Sequence, residues 1–142
     1  MARQDKLFEE GNVSGLPFSF NQEVTEVFED MIDRSVPGYS TSLNIIQQQT
    51  KTHFIEQTTV YDLGCSLGAS TAVLLDAVHG NFKILAIDSS ESMIKACQNR
   101  FKKQIQADQV NFLNEDILSS EINNASIVII NFVLQFLKIN ER

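Results

Sequence analysis

The chain has 142 residues, 43% hydrophobic and 20% charged, enough for one domain with a core and not enough for two. Its formal net charge is -7; nucleic-acid affinity comes largely from neutralised phosphates, so direct RNA or DNA binding is not expected. No apolar run approaches the ~18 residues of a membrane span, and Met1-Ala2-Arg3-Gln4-Asp5-Lys6 leads into polar sequence without a signal-peptide core, so a cytoplasmic, reduced protein is expected.

Residues 1–20 read as irregular, since Gly11, Gly15 and Pro17 break any period. A helix is predicted over 21–34, with Asn21 as N-cap and one apolar stripe of Val24, Val27, Phe28, Met31 and Ile32. Ser35-Val36-Pro37-Gly38 is a turn: proline presets φ and glycine permits a positive one. A second helix follows over 39–54, carrying Leu43, Ile46 and Phe54. Strands and helices then alternate. Strand one covers 58–63 and its helix 69–78. Strand two covers 83–88 and its helix 90–105, with Met93, Ala96, Cys97 and Phe101 inward. Strand three covers 109–113 and strand four 126–131, and a last helix starts near Leu134. Continuous apolar strands between amphipathic helices predict a parallel sheet covered on both faces. Right-handed crossovers with a switch point beside strand one give the strand order 3-2-1-4. The chain divides into an N-terminal extension with two helices, 1–56, and an α/β core, 57–142.

Chemistry concentrates at the carboxyl ends of these strands, where open α/β sheets bind ligands. Strand one ends in Asp62-Leu63-Gly64-Cys65-Ser66-Leu67-Gly68 and opens a helix at Ala69 or Ser70; strand two ends in Asp88. A dinucleotide site wants G-x-G-x-x-G, because a pyrophosphate must approach backbone amides closely at the middle glycine. Here Ser66 holds that position, which favours a nucleoside cofactor without phosphate, S-adenosylmethionine, over a nicotinamide dinucleotide. Asp62 suits the ammonium end of such a ligand, directly or through water. Asp88 can accept from a ribose diol, with Ser89 beside it. Asp116 can accept from an adenine amino group, and the Ile117 N–H can donate to an adenine ring nitrogen. Asn131, after strand four, offers both donor and acceptor. Ser89 or Ser90 must also cap the following helix. Cys65 and Cys97 lack metal-ligand spacing, and Cys65 has no histidine near it in sequence; it reads as a space-filler rather than a nucleophile, and no metal is expected. Lys95, Arg100, Lys102 and Lys103 recur at helical spacing and read as a solvated face.

Several stretches together resemble the bacterial carboxy-S-adenosylmethionine synthase family. They are Val27-Phe28-x-Asp30-Met31-Ile32-x-Arg34-Ser35-Val36-Pro37-Gly38-Tyr39-Ser40, Tyr61-Asp62-Leu63-Gly64-Cys65-Ser66-Leu67-Gly68-Ala69, Ala86-Ile87-Asp88-x-Ser90, Asn124-Ala125-Ser126-x-Val128, and Asn131-Phe132-x-Leu134-Gln135-Phe136-Leu137. The RSVPGY segment is far more specific than the glycine loop. The resemblance implies a Rossmann-like methyltransferase fold and a transferase that converts S-adenosylmethionine and prephenate into carboxy-S-adenosylmethionine and phenylpyruvate. A carbanionic carbon beside the sulfonium would capture CO2 released from prephenate, and the product would serve a wobble-uridine modification of tRNA. The resemblance also implies a homodimer and places Tyr39, Gly64, Cys65, Ser66, Asp88, Ser89, Asp116, Ile117 and Asn131 at S-adenosylmethionine. Tyr39 comes from the resemblance alone. An ordinary methyltransferase and a catalytically silent S-adenosylmethionine-binding fragment are the alternatives.

The family continues beyond the position of Arg142. Its sheet normally has seven strands, and a later arginine pairs with the carboxylate of the product. The chain therefore reads as the N-terminal part of such an enzyme. In the order 3-2-1-4, strand four is an edge with neither charge nor proline in Ile127-Val128-Ile129-Ile130, so self-association and weak turnover are expected of the 142-residue chain.

Overall fold

The computed structural model describes residues 28, 31, 32 and 34–142. Phe28, Met31, Ile32, Arg34 and Ser35 are helical; the remainder of the helix expected over 21–34, with its Asn21 cap, lies outside the described residues. The RSVPGY turn follows. Gly38 takes φ +78, a left-handed value that a β-carbon disfavours, and the chain enters helix α1, Tyr39–His53.

The sheet has four parallel strands in the order β3-β2-β1-β4. They are β1 (Thr59–Leu63), β2 (Lys83–Asp88), β3 (Val110–Asn114) and β4 (Ala125–Ile129). The registers Val60↔Ile84, Ile84↔Val110 and Val60↔Ile127 align the strands. Their carboxyl ends therefore meet along one edge of the sheet. Helix α2 (Ala69–Ala77) follows β1. After β2 come α3 (Glu91–Arg100) and the short α4 (Lys102–Gln106). The core is Val60, Leu74, Ile84, Ala86, Ile94, Cys97, Phe101, Val110 and Phe112, with Ile46 and Phe54 of the α1 region packed onto it. A smaller cluster of Tyr61, Leu63 and Ile87 fills the other face of the sheet, against Leu113 and Ile117. This two-sided burial is why the central strands β1 and β2 are largely apolar.

Four local expectations are corrected. The helix expected over 90–105 breaks at Phe101 (φ -105, ψ 25). Phe101 is buried and its ring sits 5.2 Å from that of Phe112, so core packing of one side chain sets the kink. Ala96 is only half-buried, and Ile94 is buried instead. Strand four ends at Ile129, two residues early, and is not covered on both faces: Val128 is 42% exposed. The helix expected near Leu134 is a pair of 3-10 turns, Leu134–Phe136 and Ile139–Glu141. Leu134, Phe136 and Ile139 are exposed, and a short helix without a packed apolar face has little to hold it. The basic residues of α3 behave as a solvated face. Lys95 pairs with Glu91 at 2.6 Å, and Arg100 donates to the Leu67 carbonyl at 3.1 Å.

Among the described residues β4 pairs only with β1, so its outer backbone groups form an uncharged template. Light scattering coupled to size exclusion should show concentration-dependent self-association. Val128→Lys, which places a charge on the exposed face of the edge, should shift the population toward monomer. An unchanged mass distribution in the variant would put the association elsewhere.

Candidate functional site

The loop after β1 is built by its own backbone hydrogen bonds. The amides of Gly64 and Cys65 both donate to the Ile87 carbonyl, at 2.8 and 3.0 Å, and Gly68 N–H donates to the Cys65 carbonyl at 2.8 Å. Ser66 N–H donates to Asp88 Oδ2 at 2.9 Å. Gly64 sits at φ +78, and a β-carbon there would run into the side chain of Val133. Ser66 also holds a left-handed φ, +51, although it is not glycine. The backbone thus turns as a glycine-rich loop does, while its amides at 64, 65 and 66 are already taken. A pyrophosphate would find them spent, which argues against the dinucleotide alternative on grounds of geometry.

Asp88 anchors the opposite side. Its Oδ1 accepts from Ser90 N–H at 2.8 Å, and its Oδ2 accepts from Ser66 N–H. Ionised carboxylate oxygens each carry a second lone pair, so both retain acceptor capacity. The helix cap falls to Ser90, whose Oγ accepts from Met93 N–H at 3.4 Å and which is buried. Ser89 is exposed and free of that duty. Beyond β3, Asp116 Oδ1 accepts from Leu118 N–H at 3.0 Å, and the Asp116 carbonyl gathers Ser119 N–H, Ser119 Oγ and Ser120 Oγ. This knot presents Asp116 Oδ2 and the Ile117 N–H, neither of which has a partner among the described residues. Asn131 lies past the end of β4, where its Nδ2 reaches Ser70 Oγ at 3.5 Å.

All nine residues singled out from the sequence, Tyr39, Gly64, Cys65, Ser66, Asp88, Ser89, Asp116, Ile117 and Asn131, line one cavity of about 560 Å³. That volume suits a drug-sized ligand. The sequence reading missed part of the wall. Phe132, Val133 and Gln135 contribute from the segment after β4, and Phe28, Met31 and Ile32 from the helical stretch before Gly38. The first group follows Asn131 directly, so its position at a strand's carboxyl end was the available signal. The second group reads in the sequence only as a packing stripe.

Asp62 corrects another expectation. It does not line the cavity. It is 1% exposed, beneath the loop, where its Oδ2 accepts from Thr71 Oγ1 of α2 at 2.6 Å and its Oδ1 has no hydrogen bond. The side chain serves the strand-to-helix turn rather than reaching a ligand directly. Burial pushes its carboxyl up from 3.8 to about 6, with the Thr71 bond opposing the rise and the charge of Asp88 adding to it. Cys65 and Cys97 are both buried free thiols, and Cys97 Sγ donates to the Ser66 carbonyl at 3.1 Å. The neighbouring Cys97 thiol and then burial push the Cys65 thiol up, which favours its protonated form.

Comparison with known proteins follows the same lines. The model of the methyltransferase domain matches residues 60–142. A carboxy-S-adenosyl-L-methionine synthase of Citrobacter koseri is 42% identical over 143 aligned residues, covering 100% of this chain and 58% of the relative. One of Psychromonas ingrahamii is 38% identical, covering 100% of this chain and 59% of the relative. The chain thus spans under two thirds of the length of these curated relatives. Among solved structures, a Methanococcus maripaludis protein assigned as an S-adenosyl-L-methionine-dependent methyltransferase aligns with a TM-score of 0.66 at 20% identity, over 89% of this chain and 57% of that one. The pyocyanin biosynthetic protein PhzM aligns with a TM-score of 0.57 at 13% identity, over 78% and 35%. These likenesses establish the fold.

The buried Asp62 yields a signed pH dependence. Its folded value is raised, so its contribution to stability is fully present below about 4 and is lost as pH rises through about 6. The loss is on the order of 2–3 kcal/mol. Asp62→Asn keeps an acceptor for Thr71 and carries no charge to desolvate. Urea midpoints should show the variant more stable than the parent at pH 7.5 and flat between pH 4 and 6.5. Parallel pH profiles for the two proteins would mean that Asp62 is not the titrating group.

Proposed function

The chain belongs to the methyltransferase-domain family, and from that premise we propose that its cavity binds S-adenosylmethionine as a substrate. We propose further that the protein takes part in making carboxy-S-adenosylmethionine from S-adenosylmethionine and prephenate, with phenylpyruvate as the second product. The product would supply the wobble-uridine modification of tRNA. The observation that carries the binding reading is the convergence of nine sequence-selected residues on one cavity. The reaction type is supported by relatives of 38% to 42% identity named carboxy-S-adenosyl-L-methionine synthase.

In this reading the nucleoside lies over β2 and β3. The spare lone pairs of Asp88 accept from the ribose hydroxyls. Asp116 Oδ2 accepts from the adenine amino group, the Ile117 N–H donates to a ring nitrogen, and Ser89 lies beside the ribose. The amino-acid end then falls over Gly64, Cys65 and Ser66, toward Tyr39 and Asn131. The Tyr39 hydroxyl and the Asn131 amide supply polar contacts there. The apolar remainder of the wall, including Ile32, Val36 and Val133, limits water at the reacting carbon. The unit is taken as a cytoplasmic homodimer, with a cofactor-binding core from residue 57 and a helical extension before it. The family match starting at residue 60 supports that division. Among the described residues no helix is long and apolar enough to cross a membrane.

Asp88→Ala removes the ribose acceptors and strands the Ser66 and Ser90 amides at once. Calorimetry with S-adenosylhomocysteine should show a loss on the order of 2–4 kcal/mol, or roughly 30- to 1,000-fold in affinity. Unchanged affinity would remove Asp88 from the site. Incubation with S-adenosylmethionine and prephenate tests the reaction. Release of phenylpyruvate together with an S-adenosyl product heavier by one CO2 supports the synthase. Methyl transfer to another acceptor, with prephenate untouched, would establish the ordinary methyltransferase instead.

A further inference from the structure

Phe132 combines three features that packing alone does not explain. It is not glycine, yet it holds φ +56, a sparsely populated backbone state that persists where the surroundings over-determine it and that gathers at ligand sites. Its side chain is not rewarded with burial, since the residue is 40% exposed. It lines the cavity, and its ring lies 5.8 Å from the ring of Tyr39 at an interplanar angle of 41°. Its neighbours on both sides are pinned. Asn131 reaches Ser70 at the start of α2, and Val133 occupies the space against Gly64 that a β-carbon would need. The strained turn between them therefore delivers one aromatic ring to the β1–β4 side of the cavity.

That side is where the amino-acid end of the ligand falls if the nucleoside lies over β2 and β3, so the inference rests on the S-adenosylmethionine reading given above. The sulfonium of S-adenosylmethionine carries a full positive charge, and its demethylated counterpart, S-adenosylhomocysteine, is a neutral thioether of nearly the same shape. An aromatic face attracts a cation through its quadrupole and has no such attraction for the thioether. We propose that Phe132, paired with Tyr39, determines specificity in this cavity by forming an aromatic wall at the sulfonium, favouring the charged ligand over its neutral counterpart.

The test is calorimetric titration of the 142-residue chain and its Phe132→Leu and Phe132→Tyr variants with S-adenosylmethionine and S-adenosylhomocysteine. Thermal melts are run on each variant to confirm folding. Phe132→Leu keeps apolar bulk and removes the ring. It should weaken S-adenosylmethionine on the order of fivefold and S-adenosylhomocysteine by clearly less, since a neutral thioether keeps only the weaker sulfur–aromatic contact. Phe132→Tyr keeps the ring and should behave as the parent. Equal loss of both ligands in Phe132→Leu, or loss of neither, overturns the role of Phe132 while the cavity assignment stands. Binding of neither ligand by the folded parent chain overturns the cavity assignment itself, and this inference with it.

Discussion

One carboxylate ties the site together. Asp88 ends β2 and accepts a backbone N–H on each oxygen, from Ser66 in the loop after β1 and from Ser90 at the cap of α3. Its carbonyl adds two more ties, to Asn114 Nδ2 at 2.9 Å and to Glu115 N–H at 3.2 Å. A single residue thereby fixes the ends of β1, β2 and β3 relative to one another. Buried or half-buried backbone amides left without acceptors are costly, so the clamp is structural before any ligand arrives. Asp88 also lines the cavity whose geometry these bonds help to set. Preorganisation of this kind lowers the ordering cost that a ligand would otherwise meet.

The site also holds some of the positions where local chemistry is least comfortable. Ser66 and Phe132 adopt left-handed backbone without being glycine. Asp62 is buried with one oxygen unbonded, raised by desolvation toward neutrality. Ordinary core positions such as Val60, Leu74 and Ile84 show none of this; they are apolar and fully enclosed. Gln57, Asp108 and Asn124 also hold left-handed backbone, at turns away from the cavity, and Thr50 Oγ1 is a second buried polar atom without a partner among the described residues; the site has a share of such positions, and the core supplies the stability that tolerates them.

Much of this was legible in the sequence because the physics is local. Lys83-Ile84-Leu85-Ala86-Ile87-Asp88 reads as a buried strand with a polar end, and the structure begins and ends it at those residues. The order 3-2-1-4 followed from right-handed crossovers and a switch point. The nine cavity residues followed from strand ends and from family resemblance. What escaped depends on distant contacts. The kink at Phe101 is set by packing on Phe112, and the early end of β4 reflects a strand that, among the described residues, is paired on one side only. Asp62 was misplaced because its position beside the glycine loop says nothing about whether its side chain turns outward or under, toward Thr71. The left-handed backbone of Phe132 was not legible, since a positive φ has no signature at a phenylalanine.

The loop amides of Gly64, Cys65 and Ser66 are spent on the protein itself, which leaves the proposed recognition to the side chains and to the Ile117 N–H. Backbone amide NMR during titration with S-adenosylhomocysteine measures this directly. A large shift and new exchange protection are expected at Ile117, with small changes at Gly64 and Cys65, whose amides already bond the Ile87 carbonyl. Large changes at Gly64 and Cys65 with none at Ile117 would contradict this mode of recognition, because the ligand would then be held by the loop backbone in the manner of a phosphate.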